Sequence, residues 1–221
     1  MVGPHVYGAG SILSTTGGHG DLHSVPLPWM GDLCDSGAEL RLADGPAECA
    51  KAAREQLRKG ARLIKICASG GVFSELDHPI HQQFTLEEIR AVVEVATMAD
   101  RIVAAHCHGK PGMIAALEAG VRTIEHGTYL DDEVCSAMKE TGAILVPTRA
   151  IVEEILGSQM ARTMSGTRAA RCPPPTPRRS PEPTRPGSCS PVAATSSPAA
   201  PGCLRRGAPT AESSRCWSRR A

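Results

Sequence analysis

The sequence predicts an α/β fold in which βα units build a parallel sheet. Between residues 46 and 156, segments with helical periodicity alternate with short apolar runs, and the connections between them are brief. The four apolar runs have polar residues towards their C-terminal ends, namely Lys65, His106, His126 and Thr148. Because parallel α/β folds hold their functional groups at that end of the strands, these residues are the first candidates for a site.

Four segments have the apolar spacing of amphipathic helices. PAECAKAAREQLRKG has apolar residues at 47, 50, 53 and 57 and stops at Gly60. In TLEEIRAVVEVATMA, Thr85 and Glu88 have the spacing of a capping box, and an apolar stripe follows them. GMIAALEAG and DDEVCSAMKETG end at Gly120 and Gly142, which predicts two further helices.

The strands predicted between these helices are ARLIKICASGG, RIVAAHCHG, VRTIEHG and AILVPT. Because each strand is separated from the next by a helix, the strands are expected to run parallel. The segment GAGSIL near the N-terminus does not support a dinucleotide-binding fold, since Leu13 stands where the third glycine of that fingerprint belongs.

The composition changes abruptly near residue 164. Residues 1–164 carry 14 Lys+Arg and 21 Asp+Glu, whereas residues 165–221 carry 10 Arg, 2 Glu and 11 of the 18 prolines. We therefore expect one domain over residues 1–160 and a disordered, low-complexity tail over 165–221. The tail is either a natural basic segment that binds nucleic acid or the product of a frameshift. We favour the frameshift, because its residues have GC-rich codons and the change is sudden.

The cysteines and the hydropathy predict a soluble cytoplasmic protein. The nine cysteines include no CxxC pair, which argues against a zinc ribbon, and an unpatterned set indicates reduced thiols. No apolar run approaches the ~18 residues of a membrane span, and the start of the chain does not resemble a signal peptide. A membrane partner is therefore not expected.

Lys65 lies between aliphatic residues, in LIKIC, where burial of an ammonium group is costly. It either belongs to an edge strand and extends its ammonium group to water, or it is functional. A functional lysine at this place would be a base, a Schiff-base former or, after reaction with CO₂, an anionic carbamate that bridges two cations.

His106 and His108 are separated by one residue, so they would share a face if the strand continued through both. They are either metal ligands or polar residues of a loop, and His126 taken alone is more often structural. Three consecutive βα units that place Lys65, His106 and His126 at one edge of the sheet suit Zn²⁺ or a similar divalent ion.

Several of these runs together resemble the amidohydrolase superfamily, in its imidazolonepropionase-like and Xaa-Pro dipeptidase-like branch. They are TTGGHGD, LIKICASGGVFS, HQQFTLEEIRAVVEVA, VAAHCHG, AGVRTIEHGTYLDDE and GAILVPT, in this order and within residues 2–156. The resemblance implies an incomplete (β/α)₈ TIM-type barrel, followed by the disordered Pro/Arg-rich tail.

The resemblance also implies a binuclear centre of divalent metal ions, with Zn²⁺ as the expected ion, and roles for individual residues. Lys65 would be carboxylated and bridge the two ions, and His106 and His126 would bind one of them. His108 would contact substrate or support a metal ligand, and His19 would contact substrate, although the glycines around His19 are equally typical of a tight turn.

Two elements of the family pattern are missing from this sequence. The family has an HxH pair on its first strand, but the histidines before Lys65 are only His5, His19 and His23. The family also has an aspartate on its eighth strand as general base, and the tail contains no aspartate, so the catalytic base is unknown. We expect little or no activity, and exposed sheet edges that favour a homo-oligomer.

The function that the resemblance implies is metal-dependent hydrolysis of an amide or cyclic amide, by attack of a metal-bound hydroxide on a small amide or dipeptide-like substrate. Two alternatives stay open. One is an inactive remnant that serves as a binding module, and the other, less favoured, is nucleic-acid association through the Arg-rich tail.

Overall fold

Six parallel strands alternate with six helices over residues 3–157, the part of the chain that the computed structural model describes. The strands are β1 (Ile12–Ser14), β2 (Leu40–Leu42), β3 (Ile64–Cys67), β4 (Val103–Cys107), β5 (Thr123–His126) and β6 (Ile144–Val146). The helices are α1 (Leu27–Asp35), α2 (Gly45–Arg58), α3 (Leu86–Met98), α4 (Lys110–Ala119), α5 (Asp132–Thr141) and α6 (Arg149–Gly157).

The four predicted strands and four predicted helices are all present, and the parallel sheet is confirmed. Elements β1, α1, β2 and α6 were not predicted. Strands β1 and β2 have only three residues each, which is too short for a periodicity to be visible in the sequence. The predicted disordered tail over 165–221 lies outside the described residues, and the domain boundary near 160 stays a prediction.

The sheet has the order β2-β1-β3-β4-β5-β6, with β2 outside β1 and the remaining strands in chain order. Ile64, Ile66 and Ile124 are fully buried in one apolar core with residues of α2, α3, α4 and α5. Along that face, α2 contacts α3, α3 contacts α4 and α4 contacts α5. Because a doubly wound sheet has helices on both faces, this one-sided layer is instead the wall of an incomplete (β/α)₈ barrel.

Strand alternation gives the opposite face of the sheet a polar character. Lys65 pairs in register with Ala104, and Cys67, His106 and Glu125 form the next row across β3, β4 and β5. Because successive residues of a strand point to opposite faces, the side chains of these rows lie on the face away from the helices. This inner face carries the candidate site.

No helix in residues 3–157 is long and apolar enough to cross a membrane.

Helix α3 begins with the predicted capping box. The Thr85 side chain accepts a hydrogen bond from the backbone N–H of Glu88 at 3.3 Å, and the Glu88 carboxylate accepts one from the N–H of Thr85 at 2.7 Å. The other Glu88 oxygen accepts the N–H of Gly45, the first residue of α2, at 2.6 Å. One buried carboxylate therefore satisfies the N-termini of two neighbouring helices.

Replacement of the α3 cap should reduce stability. Thr85→Ala removes one side of the capping box, and we expect the free energy of unfolding to fall by about 1 kcal/mol in urea titrations followed by circular dichroism. The matched control is Thr97→Ala, at an exposed position in the last turn of the same helix, which should be neutral or slightly stabilising. Equal losses for the two variants would contradict this account of the cap.

Candidate metal centre

The carboxyl ends of β3, β4 and β5 bring the predicted site residues to one edge of the sheet. Lys65 lies on β3, His106 on β4 and His126 is the last residue of β5. His108 follows β4 directly and is held by its backbone N–H, which donates to the Ser69 hydroxyl at 2.8 Å. Because the three strands are adjacent and parallel, their carboxyl ends were expected to lie at the same edge of the sheet.

Three imidazoles form a compact cluster at this edge. The ring centroids of His106 and His108 are 4.7 Å apart, those of His106 and His126 are 4.7 Å apart, and those of His108 and His126 are 4.8 Å apart. Each ring can offer one nitrogen such that the three nitrogens lie within 4.8 Å of one another. The imidazoles of His106 and His108 therefore lie beside each other and beside that of His126.

His126 reaches the cluster because its backbone leaves the regular strand conformation. Its register partner is Cys107, which is buried in the core on the helix side of the sheet. A φ of +73° at His126 turns the side chain away from that direction and towards His106. Positive φ is rare for a residue other than glycine and marks strain that the surrounding structure must hold, which is typical of functional sites.

Each ring of the cluster has one nitrogen fixed by a hydrogen bond. His106 Nε2 donates to the Gly70 carbonyl at 3.2 Å, and His108 Nδ1 is 2.7 Å from the Thr128 hydroxyl. His126 Nδ1 is 2.5 Å from the hydroxyl of Thr148, which itself has a φ of +44°. Metal-binding histidines are commonly oriented in this way, with one nitrogen held by the protein and the other left for the ion.

The three imidazoles are neutral at pH 7. Burial lowers the pKa of His106 well below its ordinary value, and the adjacent histidines lower it further. Burial and the neighbouring His126 lower the pKa of His108 to about 3, and burial together with the charge of Lys65 lowers the pKa of His126 to about 4. The neutral form of imidazole is the one that binds metal ions, so the cluster has suitable donors.

His19 extends the cluster from the glycine-rich loop. Its ring stacks on that of His106 with centroids 4.2 Å apart and an interplanar angle of 22°, and its Nδ1 is 2.6 Å from the Ser74 hydroxyl. The loop also makes the tight turn that its glycines suggest, since Gly17 has a φ of +73°. The tight turn is therefore present, whereas substrate contact by His19 stays a prediction.

Gly71 leaves the space that the His19 ring occupies. A Cβ at this position would lie 1.9 Å from His19 Nδ1, and the Gly71 N–H donates to the buried Asp77 carboxylate at 2.6 Å. A larger residue would therefore have to displace His19 or the loop. Asp77 is one of the residues that the sequence reasoning did not single out.

Lys65 forms an ion pair with Glu125. Glu125 was not among the site residues that the sequence predicted. The two side chains are 17% and 19% exposed. Burial lowers the pKa of the Lys65 ammonium to about 8, so Lys65 is not an exposed edge-strand lysine. The alternation of β5 could have identified Glu125, because Ile124 belongs to the core and its neighbour must then face the same side as Lys65.

The chain is similar to amidohydrolases in sequence. A profile described as the amidohydrolase family matches residues 1–187. The ochratoxinase of Aspergillus niger is 43% identical over 170 residues, which is 72% of this chain and 35% of that protein. The chain thus spans about a third of the length of this curated relative.

Solved structures of similar proteins have the same fold over this region. The crystal structure of A. niger ochratoxinase has a TM-score of 0.71 and 40% identity, and covers 78% of this chain and 41% of that chain. A Xaa-Pro dipeptidase with methionine bound in its active site has a TM-score of 0.66 and 34% identity, with 78% and 43% covered. A prolidase in complex with N-methylphosphonate-L-proline has a TM-score of 0.69 and 36% identity, with 77% and 42% covered.

Gly71→Ala should separate His19 from the cluster. The added methyl group overlaps the imidazole, so we expect a loss of about 1–3 kcal/mol in unfolding free energy and a shift of the His19 ring signals in NMR spectra. The matched control is Gly31→Ala in α1, where an added Cβ meets nothing within 4 Å. Unchanged His19 signals in Gly71→Ala would contradict the packing described here.

Proposed function

This chain belongs to the amidohydrolase family, and we propose that its site is that of a metal-dependent hydrolase which cleaves carbon–nitrogen bonds in small amide or dipeptide-like substrates. The observation that carries the proposal is the cluster of neutral imidazoles beside Lys65 at the carboxyl edge of β3, β4 and β5. The relatives named ochratoxinase and Xaa-Pro dipeptidase support this substrate class.

The metal ligands in this proposal are Lys65, His106 and His126, with Zn²⁺ as the ion. His106 and His126 suit a Zn²⁺ ion, because their imidazoles are neutral and one nitrogen of each ring is held by a hydrogen bond. A bound divalent ion lowers the pKa of water and polarises a carbonyl group, which is the chemistry that amide hydrolysis requires.

Carboxylation of Lys65 is part of the same proposal. The neutral amine would add to the carbon of CO₂ and release one proton, leaving an anionic carbamate. Burial favours the neutral amine by lowering its pKa to about 8, whereas the ion pair with Glu125 favours the ammonium form. Carboxylation must therefore displace this ion pair, and Glu125 opposes it.

His108 and His19 border the space beside the metal ligands, and we assign them to substrate contact. His108 is held by Thr128 and His19 by Ser74, so both rings keep a fixed orientation. Burial lowers the pKa of each ring, so both are neutral at pH 7 and offer hydrogen bonds rather than charge.

We also propose that the 221-residue chain has little hydrolytic activity. Its only HxH spacing is His106-Cys107-His108, and its last aspartate is Asp132, on α5. A first-strand ligand pair and an eighth-strand base are thus both missing from the sequence. An inactive remnant that acts as a binding module remains the alternative, and nucleic-acid association would depend on a tail outside the described residues.

The cellular setting in this proposal is the cytoplasm. Cys34, Cys49, Cys67 and Cys107 are free thiols, which a reducing compartment maintains. Within residues 3–157, β2 and β6 are the edges of the sheet, and Ile144 on β6 is 46% exposed. Open edges of this kind favour self-association, so the proposal includes a homo-oligomer.

The proposed low activity can be measured directly. With Zn²⁺ present, we expect the purified chain to hydrolyse ochratoxin and Xaa-Pro dipeptides at least about 10³-fold more slowly than A. niger ochratoxinase and a Xaa-Pro dipeptidase assayed in parallel, because members of a catalytic unit are missing. Metal-dependent turnover at a comparable rate, lost on chelation and restored by Zn²⁺, would contradict this expectation.

A chimera tests whether the described segment retains a working half of the site. Residues 3–157 would replace the matching segment of A. niger ochratoxinase, and we expect metal-dependent hydrolysis that His126→Ala reduces at least about 10³-fold. His81→Gln, at an exposed histidine outside the cluster, is the control and should change little. A folded, metal-loaded chimera without activity would favour the inactive remnant.

A further inference from the structure

His108 lies as close to the other two imidazoles as they lie to each other. The three centroid separations are 4.7, 4.7 and 4.8 Å, so the cluster has no outlying member. The arrangement that the family resemblance implies uses only His106 and His126 from this group. By its position, His108 is therefore as suitable a metal ligand as His106 and His126.

The three rings also have the same pattern of hydrogen bonds. One nitrogen of each ring is held, in His106 by Gly70, in His108 by Thr128 and in His126 by Thr148. In the part of the chain that the structure describes, the second nitrogen of each ring has no hydrogen bond. Where the nitrogen held by Gly70, Thr128 or Thr148 is the donor, the second nitrogen of that neutral ring offers a lone pair. One nitrogen from each of the three rings lies within 4.8 Å of the other two.

Lys65 is not a ligand in the state that the structure shows. Its Nζ forms an ion pair with Glu125, and an ammonium group has no lone pair to give to a metal ion. The pair is neutral overall, so it neither repels a cation strongly nor supplies an anionic ligand. A metal ion that enters this state meets three neutral imidazoles that lie close together.

We propose that, while Lys65 is uncarboxylated, the chain binds one divalent transition-metal ion through His106, His108 and His126 and leaves the Lys65–Glu125 ion pair intact. His108 is then a ligand in this state, whereas the carboxylated state of the proposed function assigns it to substrate contact. The inference concerns the site of the proposed function but requires no hydrolysis, no HxH pair and no aspartate.

The donor set determines which ions fit. Three imidazoles favour Zn²⁺, Co²⁺, Ni²⁺ and Cu²⁺ over Mg²⁺ and Ca²⁺, which prefer oxygen ligands. Donors around tetrahedral Zn²⁺ lie roughly 3.4 Å apart, from a Zn–N distance of about 2.05 Å. One nitrogen of each ring lies within 4.8 Å of the other two, so no pair would have to close by more than about 1.4 Å to reach this separation.

The experiment titrates Co²⁺ into the purified 221-residue chain under bicarbonate-free, CO₂-free buffer, and measures visible absorption and bound metal after dialysis. We expect one ion per chain, at least about 100-fold weaker binding in His108→Gln, and Mg²⁺ unable to compete. His81→Gln is the matched histidine control.

X-ray absorption of the Zn²⁺-loaded parent chain gives a test that does not depend on whether a variant folds. Three imidazole ligands support the proposal, whereas two imidazoles, or any sulfur from the cysteines, overturn it. Binding that appears only after bicarbonate is added, or that Lys65→Arg abolishes while His108→Gln keeps it, also overturns it and points to the carbamate site instead. Because hydrolysis is not measured here, the outcome is independent of the chimera's activity.

Discussion

The pairing of β4 with both β3 and β5 is the constraint on which the site depends. Ile66, Ala105 and Ile124 form one row across these strands and belong to the core beneath the helices. His106 and Glu125 belong to the next row, which strand alternation turns to the opposite face. A slip of one residue would move His106 into the apolar core, so the burial of the first row fixes the position of the second.

Regular strand geometry alone would not place the His126 ring beside His106. A strained backbone conformation at His126 does so. His126 and Thr148 are two of the three non-glycine residues with positive φ within residues 3–157, and they hydrogen-bond to each other. Each therefore helps to hold the other in an unfavourable conformation. The strain turns the His126 ring from the helix side of the sheet to the face where His106 lies, and only there can the two share an ion.

The charge of Lys65 is matched without an ion. Burial keeps the imidazoles neutral, and the Lys65 ammonium forms an ion pair with the carboxylate of Glu125. The same burial that keeps the imidazoles neutral also lowers the pKa of the Lys65 ammonium to about 8. Glu125 favours the ammonium form of Lys65 and would, under our proposal, oppose its carboxylation.

The sequence by itself determined the order of βα units, the capping box at Thr85 and the edge of the sheet at which Lys65, His106 and His126 meet. These follow from periodicity and from the geometry of parallel strands, which are local properties. The tertiary structure alone decided that Glu125 pairs with Lys65, that His19 stacks on His106 and that His126 turns inward. Those contacts join residues up to 87 positions apart, as His19 and His106 show, and a one-dimensional pattern carries no information on which distant side chains fill the same space.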